Sequence, residues 1–193
     1  AGHKGTKVTM RYAEVLYPEL PEYEQHRGMI MVENLRATLA TDEVILGSDA
    51  FCFAPQFTFH GFRYMEITGL EQPLPIDKVF ALALSSAETI TAEYHCSDEG
   101  VNRLFRNVCW SLRDNFISIP TDCPQRNERM GWSGDLSVFS RTAVHMTDCN
   151  TFLRRHLMAM RDLQREDGMF PDIAPIGGGF GGILWGSAGM TVA

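Results

Sequence analysis

No apolar run in this chain approaches the roughly 20 residues that a helix needs to cross a bilayer, so a helical membrane span is excluded. A basic excess is missing as well. The formal net charge is −7, spread along the chain, which argues against nucleic acid or an anionic membrane surface as partner. There is no close Cys-x-x-Cys pair. The five cysteines (Cys52, Cys96, Cys109, Cys123 and Cys149) are odd in number and read as reduced thiols, not as a disulfide frame or a zinc site. The opening residues, AGHKGTKVTM, hold no signal-peptide core. A secretory address is therefore cleaved, lost or never present. The reduced thiols set the expected location as cytoplasmic, with periplasmic or secreted as the alternative because the N-terminus is expected to be missing. Internal repeats are absent, and the glycine-dense GGGFGGILWGSAG is the one biased tract, expected to be a loop.

What remains is an ordinary globular composition, 45% hydrophobic and 21% charged over 193 residues, enough for one domain or a domain and part of another. Up to about Ala92 the texture is β. VTMRYAEVLY, GMIMVENL, EVILG, FTFHGFRYMEITGL, KVFALALSS and ITAEYHC are short runs rich in branched and aromatic residues. Turn residues separate them, among them Pro18, Gly28, Gly47-Ser48-Asp49 and Pro73-Leu-Pro75. Many short strands at near-regular spacing predict an antiparallel sandwich. From Ser97, a candidate N-cap, the period lengthens. Val101, Leu104, Phe105, Val108, Leu112 and Phe116 keep the three-and-four spacing of a helix over about 98–116. Leu136, Phe139, Ala143 and Met146 predict a second helix over 136–146. Phe152, Leu153, Leu157, Met160 and Leu163 predict a third over 150–166, closed by a glycine cap near Gly168 and by Pro171. The expected division is 1–92 and 93–193.

Between the first two helices lies TDCPQRNERMGWSGD, residues Thr121 to Asp135, with three acids, two arginines and a tryptophan. Pro124 and Gly131 forbid a continuous helix there. Carboxylates beside an aromatic platform suit a sugar. The acids accept from vicinal hydroxyls and move protons, and the indole stacks on the C–H face of the ring. A surface network pairing Arg126 and Arg129 with Asp122, Glu128 and Asp135 explains the same composition, and on composition alone it is somewhat favoured.

The loop closely resembles the signature of bacterial α-L-rhamnosidases, glycoside hydrolase family seventy-eight. Phe57-Thr-Phe-His-Gly-Phe-Arg-Tyr64, Cys96-Ser-Asp98 with Asn102, and Gln164-Arg-Glu-Asp-Gly-Met-Phe-Pro171 carry the resemblance along nearly the whole chain. It implies a mixed fold, β then α: a partial antiparallel β-sandwich followed by the first helices of an (α/α)6 barrel of the six-hairpin glycosidase type. The chain is then expected to be an internal piece, incomplete at both ends and inactive alone. The implied reaction is inverting release of terminal α-L-rhamnose. Glu128 is the implied general acid; Asp122, Arg126, Trp132, Asp135 and Trp185 are implied substrate contacts. The general base is expected on a Glu downstream of Ala193, and Ser187 stands where the family often has an acid. Neither metal nor cofactor is implied, and the partner is a rhamnose-containing glycoside. Two other readings stay open: a non-catalytic carbohydrate-binding relative, and a structural domain with an acidic salt-bridged loop. His60 is expected to be a packed strand histidine. His145 and His156 are expected at surface or boundary positions, Met158 and Met160 in helix packing, and Asp148 and Asn150 as helix caps.

Overall fold

The computed structural model describes residues 2–48, 52–87 and 89–193, so Asp49 of the expected turn lies outside the described residues. The chain divides into two compact units. The first comprises Ala1–Leu82 with Gln125–Asn127, the second Ala83–Pro124 with Glu128–Ala193.

The first unit is built on a three-stranded antiparallel sheet with β1 (Lys7–Ala13) at its centre. β4 (Thr41–Ile45) pairs on one side with Lys7 opposite Ile45, and β5 (Tyr64–Thr68) on the other with Tyr12 opposite Met65. The side-chain period of two places Met10 and Tyr12 on one face, against Leu35, Ala40 and Met65. A second ribbon joins β2 (Val15–Leu16) to β3 (Ile30–Met31). His60 is packed as expected but sits outside the strands. Its ring stacks on Tyr12 with centroids 4.1 Å apart, and its Nε2 lies 3.0 Å from Asp42 Oδ2.

Several expected strands are shorter than their apolar runs. After Ile30–Met31 the chain turns into a 3-10 segment, Glu33–Leu35, that buries Leu35. In FTFHGFRYMEITGL only Tyr64–Thr68 is strand, and Phe57 has φ +60° with its ring fully exposed. A positive φ at a bulky residue breaks an extended run. Residues 78–86 form no strand among the described residues, although their pattern alternates. Phe80, Leu82 and Leu84 stand 80%, 78% and 55% exposed there. Propensity cannot make a strand where no neighbouring backbone supplies the ladder. Of ITAEYHC, only Ile90 pairs, through a single bridge to Thr147.

The second unit is helical. α1 (Glu99–Asn115) starts one residue later than the sequence suggests, because Asp98 and not Ser97 is the cap. The Asp98 carboxylate accepts from the N–H groups of Gly100 at 2.7 Å and Val101 at 3.3 Å, meeting two donors that a helix start leaves orphaned. Buried Asn102 secures the approach, exchanging two 2.9 Å hydrogen bonds with the Cys96 backbone. A two-residue hairpin pairs β6 (Phe116–Ile117) with β7 (Ile119–Pro120). α2 (Ser133–Met146) and α3 (Asn150–Asp162) follow. Leu112, Phe116, Leu136, Ala143, Met146 and Leu153 form the buried cluster among them, as the helical spacing foretells. Asp148 Oδ1 accepts from Asn150 N at 3.3 Å, whereas Asn150 is itself the first helical residue.

Three expectations change here. α3 ends at Asp162, and Gly168 (φ +87°) serves a separate turn whose N–H reaches Arg165 O. The glycine-dense tract is not loop throughout: α4 (Ile183–Gly186) and α5 (Ala188–Thr191) are short helices. They form because Ala188, fully buried, packs on Met160 and Ala174. Lastly, His156 is not at a boundary. It is 1% exposed, at the heart of the unit, while His145 is exposed as expected.

Candidate active site

The loop before α2 is pinched shut by its own backbone. Asp122 N–H donates to Met130 O at 3.1 Å, and Met130 N–H returns to Asp122 Oδ1 at 2.8 Å. One step inward, Arg129 N–H donates to the buried Cys123 Sγ at 3.3 Å. Arg129 reaches this geometry with φ +50°. Glu128 stands beside these rungs, and its Oε1 accepts the indole Nε1–H of Trp132 at 2.9 Å.

Beyond the loop, Gly131 and Trp132 lie against residues 172–174. Ala174 N–H donates to Gly131 O at 3.1 Å, and Ser133 N–H donates to Asp172 O at 2.8 Å. A Cβ on Gly131 would collide with the Ala174 carbonyl, so only glycine permits this approach. Helix α2 therefore begins at Ser133, three residues before its first periodic apolar position. Its cap is the Asp172 carbonyl, supplied from elsewhere in the unit, since Trp132 makes no side-chain cap.

Trp185, on α4, meets Trp132 edge to face, with ring centroids 6.4 Å apart at 67°. Its indole edge rests on Gly134, where an added Cβ would stand 2.7 Å from Nε1. A cleft of about 520 Å³ opens beside it, lined by Asn115, Asp122, Asp135, Phe139 and Trp185 among others. That volume accommodates a small ligand, and its lining combines apolar wall with two carboxylates. Asp135 has its carboxyl pKa raised above the ordinary range. Desolvation by the surrounding protein is the main cause although the residue opens to solvent, and the charges of Asp122 and Glu128 add to it. The charges of Asp122 and Glu128 thus bear on Asp135.

Five of the six expected site residues, Asp122, Glu128, Trp132, Asp135 and Trp185, fall in the second unit around this loop and cleft. Arg126 groups with the first unit, as do its neighbours Gln125 and Asn127. Ser187, in the position where an acid was looked for, donates its hydroxyl to Leu184 O. Asp122, Cys123 and Glu128 also bring an oxygen, a sulfur and an oxygen within 4.8 Å of one another, a mixed set that could ligate a borderline divalent cation such as zinc. Sequence reasoning missed Asp172 entirely. Its carboxylate accepts from Phe180 N–H at 2.8 Å and Gly182 N–H at 2.7 Å, so the glycine run wraps around it.

An acid-rich loop between two helices, beside paired tryptophans, is in keeping with the family resemblance read from the sequence. Comparison with known proteins bears this out. The model of the bacterial alpha-L-rhamnosidase 6 hairpin glycosidase domain matches residues 89–193, and that of the bacterial alpha-L-rhamnosidase concanavalin-like domain matches residues 1–101. An alpha-L-rhamnosidase of Streptomyces avermitilis is 40% identical over the whole chain, which spans 18% of that relative. One of Alteromonas is 35% identical over 89% of the chain, again spanning 18% of the relative. Among solved structures, the Streptomyces avermitilis alpha-L-rhamnosidase complexed with L-rhamnose superposes with a TM-score of 0.90 at 41% identity. That match covers the whole chain and 18% of the other. The Aspergillus terreus enzyme gives 0.85 at 35% identity, over 97% of this chain and 21% of that one. The chain belongs to the bacterial α-L-rhamnosidase family. It spans about a fifth of the length of these relatives.

Proposed function

We propose that the protein removes terminal α-L-rhamnose from glycosides, with Glu128 as the general acid that protonates the departing oxygen. The observation that carries this reading is the Trp132 Nε1–H donating to Glu128 Oε1 beside the Asp122 and Asp135 carboxylates. The bond fixes where the acid's oxygens sit. Asp122 and Asp135 take sugar hydroxyls, and Trp132 and Trp185 form apolar walls on which the ring and its methyl group rest. A sugar in the 520 Å³ cleft would meet the Asp122 and Asp135 carboxylates and the Trp185 indole. The relative crystallised with L-rhamnose supports that sugar as the ligand. We further read the reaction as inverting. Water then attacks from the face opposite Glu128, activated by a second carboxylate about 6.5–9.5 Å from the acid.

Glu128→Gln in the whole protein is the test. The amide keeps the carboxyl's shape and its acceptor for Trp132, but it has no proton acidic enough to give. Hydrolysis of an alkyl rhamnoside should fall by about 10²–10⁴-fold. A rhamnoside whose leaving group departs without protonation should lose much less, and rhamnose affinity should hold. Parent-like turnover of the alkyl substrate would remove Glu128 from this role.

A further inference from the structure

We propose that Asp172 is a positioning residue that couples both sides of the cleft: its carboxylate fixes the loop that carries Trp185, and its backbone fixes the first turn of the helix that carries Asp135. Every polar handle of the residue is used. The carboxylate takes the N–H groups of Phe180 and Gly182, its carbonyl takes Ser133 N–H at 2.8 Å, and its own N–H donates to Gly178 O at 3.0 Å. Asp172 is 8% exposed, so these bonds form away from competing water. The segment it begins bridges two others, with Ile173 paired to Trp132 on one side and to Gly178 on the other.

From Gly182 the path to Trp185 is one helical turn. Gly182 O accepts Gly186 N–H at 2.6 Å, the first hydrogen bond of α4, and a Cβ on Gly182 would touch the indole at 3.2 Å. The carboxylate therefore sets the residue from which α4 springs. Gly179 serves the same contact from the loop side. With φ +89° and no Cβ, it lets the backbone close over Asp172 Oδ2, where an alanine would collide with that oxygen. Charge-assisted bonds to two backbone N–H groups hold the loop more firmly than neutral ones would.

That Trp185 walls a rhamnose site rests on the function proposed above; the coupling of Asp172 to Trp185 does not, and the experiment separates the two. The chain holds three tryptophans, Trp110, Trp132 and Trp185. In the whole protein labelled with 5-fluorotryptophan, Trp185→Phe and Trp110→Phe assign the fluorine resonances of Trp185 and Trp110. In Asp172→Ala the Trp185 resonance should move toward that of the free amino acid, while Trp110 on α1 stays in place. Asp172→Asn, keeping one acceptor oxygen, should give an intermediate shift. Gly179→Ala should reproduce the alanine effect with Asp172 intact, which decides the matter if Asp172→Ala loses its fold and its Trp110 signal too. A Trp185 resonance unmoved in both Asp172→Asn and Gly179→Ala overturns the proposal. In the whole protein, Asp172→Asn should raise KM for an aryl rhamnoside about tenfold, roughly the loss of one hydrogen bond to a charged group, with a smaller change in kcat. If the resonance moves but the parent protein releases no rhamnose, the coupling stands and the proposed function falls.

Discussion

His156 should make the helical unit acid-sensitive, by an amount that can be worked out. The ring is 1% exposed, and both of its nitrogens are buried with no hydrogen-bond partner among the described residues. Burial first, and the nearby Arg155 charge second, lower its pKa from 6.5 to about 4. The folded state thus holds the neutral ring, while the unfolded chain takes up a proton as soon as pH drops below the ordinary value. Stability is complete above that value, declines as pH falls from 6.5 toward 4, and loses nothing more from this group below the folded pKa. At about 1.4 kcal/mol per pH interval, the full loss is on the order of 3 kcal/mol, of which roughly 2 kcal/mol has gone by pH 5. The perturbation is His156→Leu, which keeps an apolar group of similar size in the space beneath Gly131 and abolishes the titration. Urea unfolding followed by helical circular dichroism, at pH 7 and pH 5, measures the difference. Carboxylates titrate in both proteins, so only the difference between them belongs to His156. The parent should lose about 2 kcal/mol more than the variant on acidification. Equal losses in the two proteins would refute the reasoning, and would mean that the buried ring finds a partner for its proton.

Gly134→Ala should press a methyl group into the Trp185 indole, 2.7 Å from Nε1, and destabilise the chain by about 1–3 kcal/mol while lowering rhamnose affinity, read by urea unfolding and calorimetric titration. Asp98→Ala should cost about 1 kcal/mol by stripping the α1 cap, and Asp98→Ser or Asp98→Asn should restore most of it, read from the unfolding midpoint.

The helices were legible because their apolar spacing is repeated over three or four turns and agrees with what they bury. Leu112, Leu136, Ala143 and Leu153 all fall where the periodicity puts them. His156 obeyed the same rule and was overlooked: it lies three residues after Leu153 and four before Met160, on the buried stripe itself. Residue type overrode position there. The strands were harder, since a run such as 78–86 carries the alternation of a strand but no information about which backbone would pair with it. The acids and tryptophans of the loop stood out by their unusual types. Asp172 did not, because its partners are main-chain N–H groups of a glycine run, and main-chain partners leave no trace in side-chain pattern. The start of α2 was misplaced for the same reason: its cap is a carbonyl from a segment almost forty residues away.

The pair of hydrogen bonds between Asp122 and Met130 has a consequence for how Glu128 moves. With both ends tied, the segment between them is a closed ring, and its members have far fewer arrangements open to them than a loop hinged only at its stems. Glu128 sits two residues from the knot and is held at its far end by an indole. Little disorder is then left for a ligand to freeze out on arrival, so under the function proposed above Glu128 waits in place, and the free energy of binding can go to the sugar ring instead of to ordering the acid.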